Sequence, residues 1–181
     1  MSNILAQPLT GAEPNPHAET AAESSTNSLA HSRQRLLALI RDEAVEARSG
    51  RPSGILLKCN ALTDRQVIEA LYEASRAGVP IELMVRGMCA LVPGRKGWSE
   101  TIRVRSVVGR FLEHTRVYWF EHGGDAEVLI GSADLMERNL DRRMEVLVPV
   151  RSPEIRRWLR EVYLQRYLDD VGRSRRMNSD G

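Results

Sequence analysis

Arg86 and His114 are the residues of this 181-residue chain whose types and neighbours best suit phosphate chemistry. Arg86 closes the apolar run Ile81 to Val85 and is followed by Gly87. An arginine there can clasp a phosphate through two parallel hydrogen bonds, and a glycine lets a ligand come close to the backbone. His114 lies in Arg110-Phe111-Leu112-Glu113-His114-Thr115-Arg116. Flanking arginines favour an uncharged imidazole, able to act as nucleophile or base, while Glu113 opposes them. Each residue also has a plainer reading, Arg86 as a surface ion pair and His114 as a structural histidine. His17, His31 and His122 carry less, falling in a polar leader, at a helix start and in a turn. The run Arg138-Asn139-Leu140-Asp141-Arg142-Arg143 could hold a polyanion, or form a solvated face that Asp141 and Glu145 partly neutralise.

The elements that would carry these residues follow from periodicity. Residues 1–28 are rich in Ala, Ser, Thr, Asn, Pro and Glu and read as a disordered leader. Leu29, Leu36, Leu37, Ile40, Ala44 and Val45 then mark one face of a helix that ends at Ser49-Gly50. Gly54 to Lys58 reads as a buried strand. Thr63-Asp64-Arg65-Gln66 reads as a capping box opening a helix, Gly78 and Pro80 close it, and Ile81 to Val85 is a second strand. Strand, helix and strand this close together predict a parallel pair, with ligands gathering beyond its carboxyl ends. Leu91 to Ser99 is a loop; Thr101 to Val107, Arg116 to Phe120, Glu127 to Ile130 and Met144 to Val150 are strands, with Gly123-Gly124 a turn. Ser152-Pro153 opens a last helix carrying Ile155, Trp158, Leu159, Val162 and Leu168. The expectation is one α/β domain over residues 29–171 with a mixed sheet flanked by helices, and a basic, frayed tail over 172–181.

Composition narrows the function. The chain is 42% hydrophobic and 28% charged, ordinary for a globular domain. A net charge of +2 is too small to argue for a nucleic-acid partner, and no apolar run is long enough to span a membrane. No basic-flanked apolar stretch marks a secretory signal. Cys59 and Cys89 suit no zinc motif and read as reduced thiols of a cytoplasmic protein; no set of metal ligands stands out. Lys58 and Lys96 are the only lysines among 26 basic residues. A G+C-rich genome explains most of that bias, though not where the arginines cluster.

His114-x-Arg116, four residues, Glu121, nine residues, Gly131-Ser132-Ala133-Asp134 is a loosened copy of the phospholipase D superfamily pattern. That pattern has Lys for Arg116, Asp for Glu121 and Asn for Asp134. Longer segments resemble one family closely. Lys58-Cys59-Asn60-Ala61-Leu62-Thr63-Asp64, Ala70 to Ser75, Val85-Arg86-Gly87-Met88-Cys89, Val108 to His114, Phe120 to Gly124 and Gly131 to Arg143 look like polyphosphate kinase of the long, histidine-phosphorylating type. The resemblance covers residues 34–170, in order. It implies a phospholipase D-like α/β fold, the second of two such domains that enclose the active site. It also implies reversible transfer of the ATP γ-phosphate to inorganic polyphosphate, with Mg²⁺ and through a phosphohistidine. Carried over by motif, Arg86 corresponds to an arginine that binds nucleotide phosphate. His114 corresponds to a second active-site histidine that assists transfer and contacts ATP. Arg110, Ser132 and Arg138 extend the phosphate site.

The departures shape the rest of the expectation. The phosphorylated histidine belongs to the family's first half, and no counterpart precedes Lys58; the tyrosine that stacks on adenine lies upstream too, and Leu135 replaces a tryptophan. The chain therefore reads as a truncated or split gene product, not complete as a catalyst. Two alternatives stand beside that reading. One is a non-catalytic module that binds nucleotide or polyphosphate, self-associating or docking on a kinase that supplies the other half. The other is a phosphodiesterase in which two copies of His114 meet.

Overall fold

The computed structural model describes residues 28–110 and 112–180. The expected leader lies outside the described residues, except for Ser28. Among the described residues seven strands form one mixed sheet in the order β6-β5-β4-β1-β2-β3-β7. They are β1 (Ile55–Cys59), β2 (Ile81–Val85), β3 (Ile102–Val107), β4 (Arg116–Phe120), β5 (Glu127–Gly131), β6 (Leu147–Pro149) and β7 (Ser174–Arg176). β1 and β2 are parallel, as the strand–helix–strand spacing predicts; β3 adds parallel to β2, while β4 runs antiparallel to β1 with Lys58 opposite Val117. β5 returns along β4 with Arg116 opposite Gly131.

One face of the sheet is covered by α1 (Ser28–Arg48), α2 (Arg65–Arg76) and α3 (Glu137–Arg142). Leu36, Leu37, Ile40 and Ala44 of α1 are buried there against Ile55, Leu57 and Cys59. Val45, expected on that face, is half exposed; Leu39 and Glu43 are buried instead. Glu43 is tolerated because its carboxylate accepts the backbone N–H groups of Gly54 (2.8 Å) and His122 (2.7 Å). The cap of α2 is Asp64, one residue later than the expected Thr63: its carboxylate accepts from the Val67 N–H at 3.0 Å and pairs with Arg33. At the far end Gly78 takes φ +92°, the left-handed turn that glycine adopts without strain, and the chain re-enters the sheet.

The other face packs Leu56, Met84, Val117, Trp119 and Val128 under a C-terminal helix. That helix runs as α4 (Pro153–Trp158), a π-helical stretch (Leu159–Leu164) and α5 (Gln165–Asp169). Ser152 caps it as predicted. The π-helical stretch inserts a residue into the turn and rotates the faces. Leu159 and Leu164 therefore bury, while Ile155 and Trp158, expected on the apolar face, are half exposed.

Beyond one-residue shifts at strand ends, the larger departures from expectation fall in the C-terminal part. α3 forms where a charge run without element was predicted. β6 begins only at Leu147, because Glu145 is drawn inward to the Asn139 amide (2.7 Å) and Val146 bonds to Ser132. The tail is not frayed over its whole length: Ser174–Arg176 pairs antiparallel with Val107–Arg105, and the Met177 N–H reaches the Val104 carbonyl at 3.0 Å. A bare β3 edge offers unpaired backbone groups, and these outweigh the polarity of the segment. Among the described residues no helix is long and apolar enough to cross a membrane.

Candidate phosphate site at one end of the sheet

Strand direction gathers the candidates. The carboxyl ends of β1, β2 and β3, the amino end of β4 and the carboxyl end of β5 share one rim of the sheet. Arg86 follows β2, Arg110 follows β3, His114 precedes β4 and Ser132 follows β5; Arg138 stands on α3, a few residues beyond. All five sequence-predicted residues thus belong to segments that leave the same rim. Glu121 does not. It follows the other end of β4, where its carboxylate accepts from the Trp119 indole N–H at 3.0 Å.

A chain of hydrogen bonds runs across the rim. The Arg86 N–H donates to the Cys59 carbonyl (3.2 Å) and the Gly87 N–H to the Asn60 carbonyl (2.9 Å). A methyl group on Gly87 would stand 3.0 Å from that carbonyl, which explains the glycine. The Asn60 N–H donates to Asp134 at 2.7 Å. Asp134 in turn receives Arg116 through Nη2 (2.8 Å) and Nε (3.3 Å). The remaining arm of Arg116, Nη1, donates to His114 at both Nδ1 (3.1 Å) and the backbone carbonyl (2.9 Å). Arg86 and His114 are therefore fixed to one framework.

That framework settles what each group can do. Burial is the largest influence on the Asp134 carboxyl and pushes it up, but Arg116 and the two backbone N–H groups together hold it below the usual carboxylate range. The Arg116 guanidinium is likewise held charged against the cost of its burial. Arg116 occupies the position of the pattern's phosphate-binding lysine, yet it is turned inward and orients His114. Since arginine only donates, His114 must accept at Nδ1, which leaves Nε2–H as a donor towards solvent. Glu113, expected to bear on the imidazole, points away to the Tyr167 hydroxyl and Lys58.

The other candidates keep donors available. Arg86 is partly buried, and its Nη1 is enclosed with no hydrogen-bond partner among the described residues. Such an orphaned donor is costly unless something binds it. Arg110 and Arg138 are exposed and make no ion pair among the described residues. Ser132 Oγ accepts from the Val146 N–H at 3.2 Å, so its own proton is free for an acceptor. Lys58, Asn60 and Asp134 complete the rim; position at the strand end was the signal that could have found the first two. Among the described residues no three His, Cys, Asp or Glu side chains converge as metal ligands. Asp134 is already engaged, so the rim by itself does not make a Mg²⁺ cage. A separate cleft of about 650 Å³ opens at the opposite rim, where Arg156, Arg157 and Arg160 mingle with Glu121, Asp125 and Glu161. It contains none of the candidate residues.

Comparisons with known proteins bear on the family and the fold. Residues 27–181 match the family model described as polyphosphate kinase C-terminal domain 2. Polyphosphate kinase of Rhodopirellula baltica is 54% identical over 149 residues, covering 82% of this chain and 17% of the relative. That of Prochlorococcus marinus is 52% identical, covering 82% and 21%. The chain thus spans about a fifth of the length of these relatives. The crystal structure of polyphosphate kinase from Porphyromonas gingivalis superposes with a TM-score of 0.78 at 42% identity, over 81% of this chain and 22% of that one. Nuc of Salmonella typhimurium, a phospholipase D family member, superposes at 0.51 with 17% identity, covering 75% and 89%. NucT of Helicobacter pylori gives 0.53 at 16% identity, covering 75% and 88%, and these two support the fold alone.

Proposed function

The chain belongs to the polyphosphate kinase C-terminal domain family, with a phospholipase D-like α/β fold, and from that premise we propose that its rim binds the phosphates of ATP and of inorganic polyphosphate. The reaction is reversible transfer of the ATP γ-phosphate to the polymer. The observation that carries this reading is the enclosed, unpartnered Nη1 of Arg86, on the same hydrogen-bonded framework as His114. Arg86 would hold a nucleotide phosphate, with Arg110 and Arg138 neutralising the polymer and the Ser132 hydroxyl donating to a non-bridging oxygen. His114 would donate from Nε2 to the transferring group, which stabilises charge that builds on its oxygens. Held by Arg116 in that tautomer, it assists transfer and does not carry the phosphate.

The phosphohistidine and the groups that bind adenine and Mg²⁺ would come from another domain or polypeptide. Mg²⁺, bound to the phosphates, would offset their charge. Exposed Met144, Val146 and Val148 beside the Ser132 loop support contact with such a domain or with a second copy. A nucleotide substrate and two free thiols, Cys59 and Cys89, support a cytoplasmic setting.

Calorimetric titration of the full chain with inorganic tripolyphosphate and with ATP–Mg²⁺ tests the binding. Polymer formation from ATP–Mg²⁺, by wild type and His114→Gln, tests turnover. Saturable binding that weakens in Arg86→Ala supports the reading, and no binding of either ligand refutes it. Polymer made by the wild type alone would show that His114 acts without any further domain. Binding without polymer would leave the chain as a nucleotide- or polyphosphate-binding module that acts with a partner.

A further inference from the structure

His114 lies in an irregular connection between β3 and β4, and its ring touches only Arg116 among the side-chain partners described. Its two sequence neighbours are nevertheless tied down from beneath. The Lys58 ammonium donates to Thr115 Oγ1 at 2.8 Å and to the Thr115 carbonyl at 3.3 Å, and lies 3.6 Å from the Glu113 carboxylate. Glu113 also accepts from the Tyr167 hydroxyl, and Tyr163 bonds to Thr115 Oγ1. Lys58 is 4% exposed and sits 4.8 Å from the centre of the Tyr167 ring.

We propose that Lys58, Glu113 and Tyr167 are positioning residues for His114, through which the C-terminal helix on the far face of the sheet sets the aim of the imidazole. The proposal rests on the phosphate-site reading above. A buried ammonium is costly unless it is partnered, and here its hydrogen bonds go to Thr115 and its ion pair to Glu113, the residues on either side of one histidine. The same Nη1 of Arg116 bonds both the ring and the carbonyl of His114, so the ring contact survives only while the backbone stays in place. Lys58 on β1 and Tyr167 on α5 supply that constraint. Burial first, then the bond to Glu113, push the Tyr167 hydroxyl far above its ordinary range, so it remains a donor at any working pH.

Two-bond ¹⁵N–¹H spectra of the ¹⁵N-histidine-labelled full chain decide the matter, with the His114 signals assigned by their loss in His114→Gln. The wild type should show the Nε2–H tautomer. Tyr167→Phe and Lys58→Met should shift His114 to a mixture of tautomers and weaken tripolyphosphate binding about three- to tenfold. Thr115→Ser, which keeps the hydroxyl, should behave as wild type. Should Lys58→Met fail to fold, Tyr167→Phe decides alone. His114 signals that stay unchanged in folded Tyr167→Phe overturn the proposal, whatever the affinity does. A wild type that binds no tripolyphosphate defeats the phosphate-site reading instead, and the tautomer comparison still decides the positioning.

Discussion

Replacing Asp134 by asparagine removes one charge and almost no volume, so it isolates the ion pair at the centre of the rim. The Arg116 and Asp134 side chains are 11% and 10% exposed, with Nη2 and Oδ2 2.8 Å apart. At an effective dielectric near 20, two unit charges centred about 4 Å apart attract by about 4 kcal/mol. Asparagine keeps an oxygen for the Asn60 N–H but takes from the guanidinium its directly bonded counter-charge, leaving the weaker field of Glu145. Part of the gross attraction is offset by the desolvation no longer needed for the carboxylate. The expected net loss is about 2–3 kcal/mol at neutral pH, measured by urea unfolding. Because the folded carboxyl lies below its ordinary value of 3.8, the pair's contribution is complete above that pH. It is lost as pH falls through the lowered folded value, so the gap between wild type and variant should close in acid. A gap below about 0.5 kcal/mol at pH 7, or one that widens on acidification, would refute the reasoning. His114 should also lose its fixed tautomer in the variant, since Arg116 would no longer be held against it.

Arg86→Ala should weaken tripolyphosphate binding about 10- to 100-fold, with little change in urea midpoint, because Nη1 has no partner among the described residues. Glu43→Ala leaves the Gly54 and His122 N–H groups without their acceptor in a fully buried position; a loss of about 2–4 kcal/mol is expected from chemical unfolding. Gly131→Ala would place a methyl group 1.9 Å from the Val146 carbonyl oxygen, so it should part β5 from β6. The loss should exceed about 2 kcal/mol, and hydrogen exchange of the Ser132 amide should accelerate.

Much of the fold was legible because its signals were local. The spacing from Ile55 to Val85 encodes a parallel pair whatever the rest of the chain does. Gly78-Val79-Pro80 marks its helix end, and Ser152-Pro153 marks the start of the last helix. What was not legible depended on long-range partners. Nothing in Ser174-Arg175-Arg176 suggests a strand until the β3 edge is seen waiting for it. Thr63 and Asp64 compete for one cap, and Arg33, 31 residues away, helps to settle it. Val45 and Leu39 exchange exposure because the helical face is set by what lies beneath it. At the site, Arg110, Ser132 and Arg138 entered as what the family resemblance implies, while residue type and neighbours suggested Arg86 and His114. They could not show that Arg116 turns inward to Asp134, since an arginine beside a histidine reads equally as a phosphate ligand. Lys58, Glu113 and Tyr167 span more than a hundred residues, and their meeting follows only from the pairing of β1 with β4 and the docking of the last helix.

The reversal of direction at β4 gives the two rims of the sheet different freedoms. At the rim that carries the proposed site, connections join strand ends whose side chains are held by hydrogen bonds; a single inserted residue there would re-aim the candidate groups. At the other rim, the turns through Gly50, Gly78 and Gly124 join elements without presenting a candidate group to the site. Chain length can vary at those turns, subject to local anchors such as Glu43, while the geometry of the candidate rim stays as it is. One domain can thus acquire extra segments, neighbours or linkers along one side and leave the arrangement of side chains on the other unchanged.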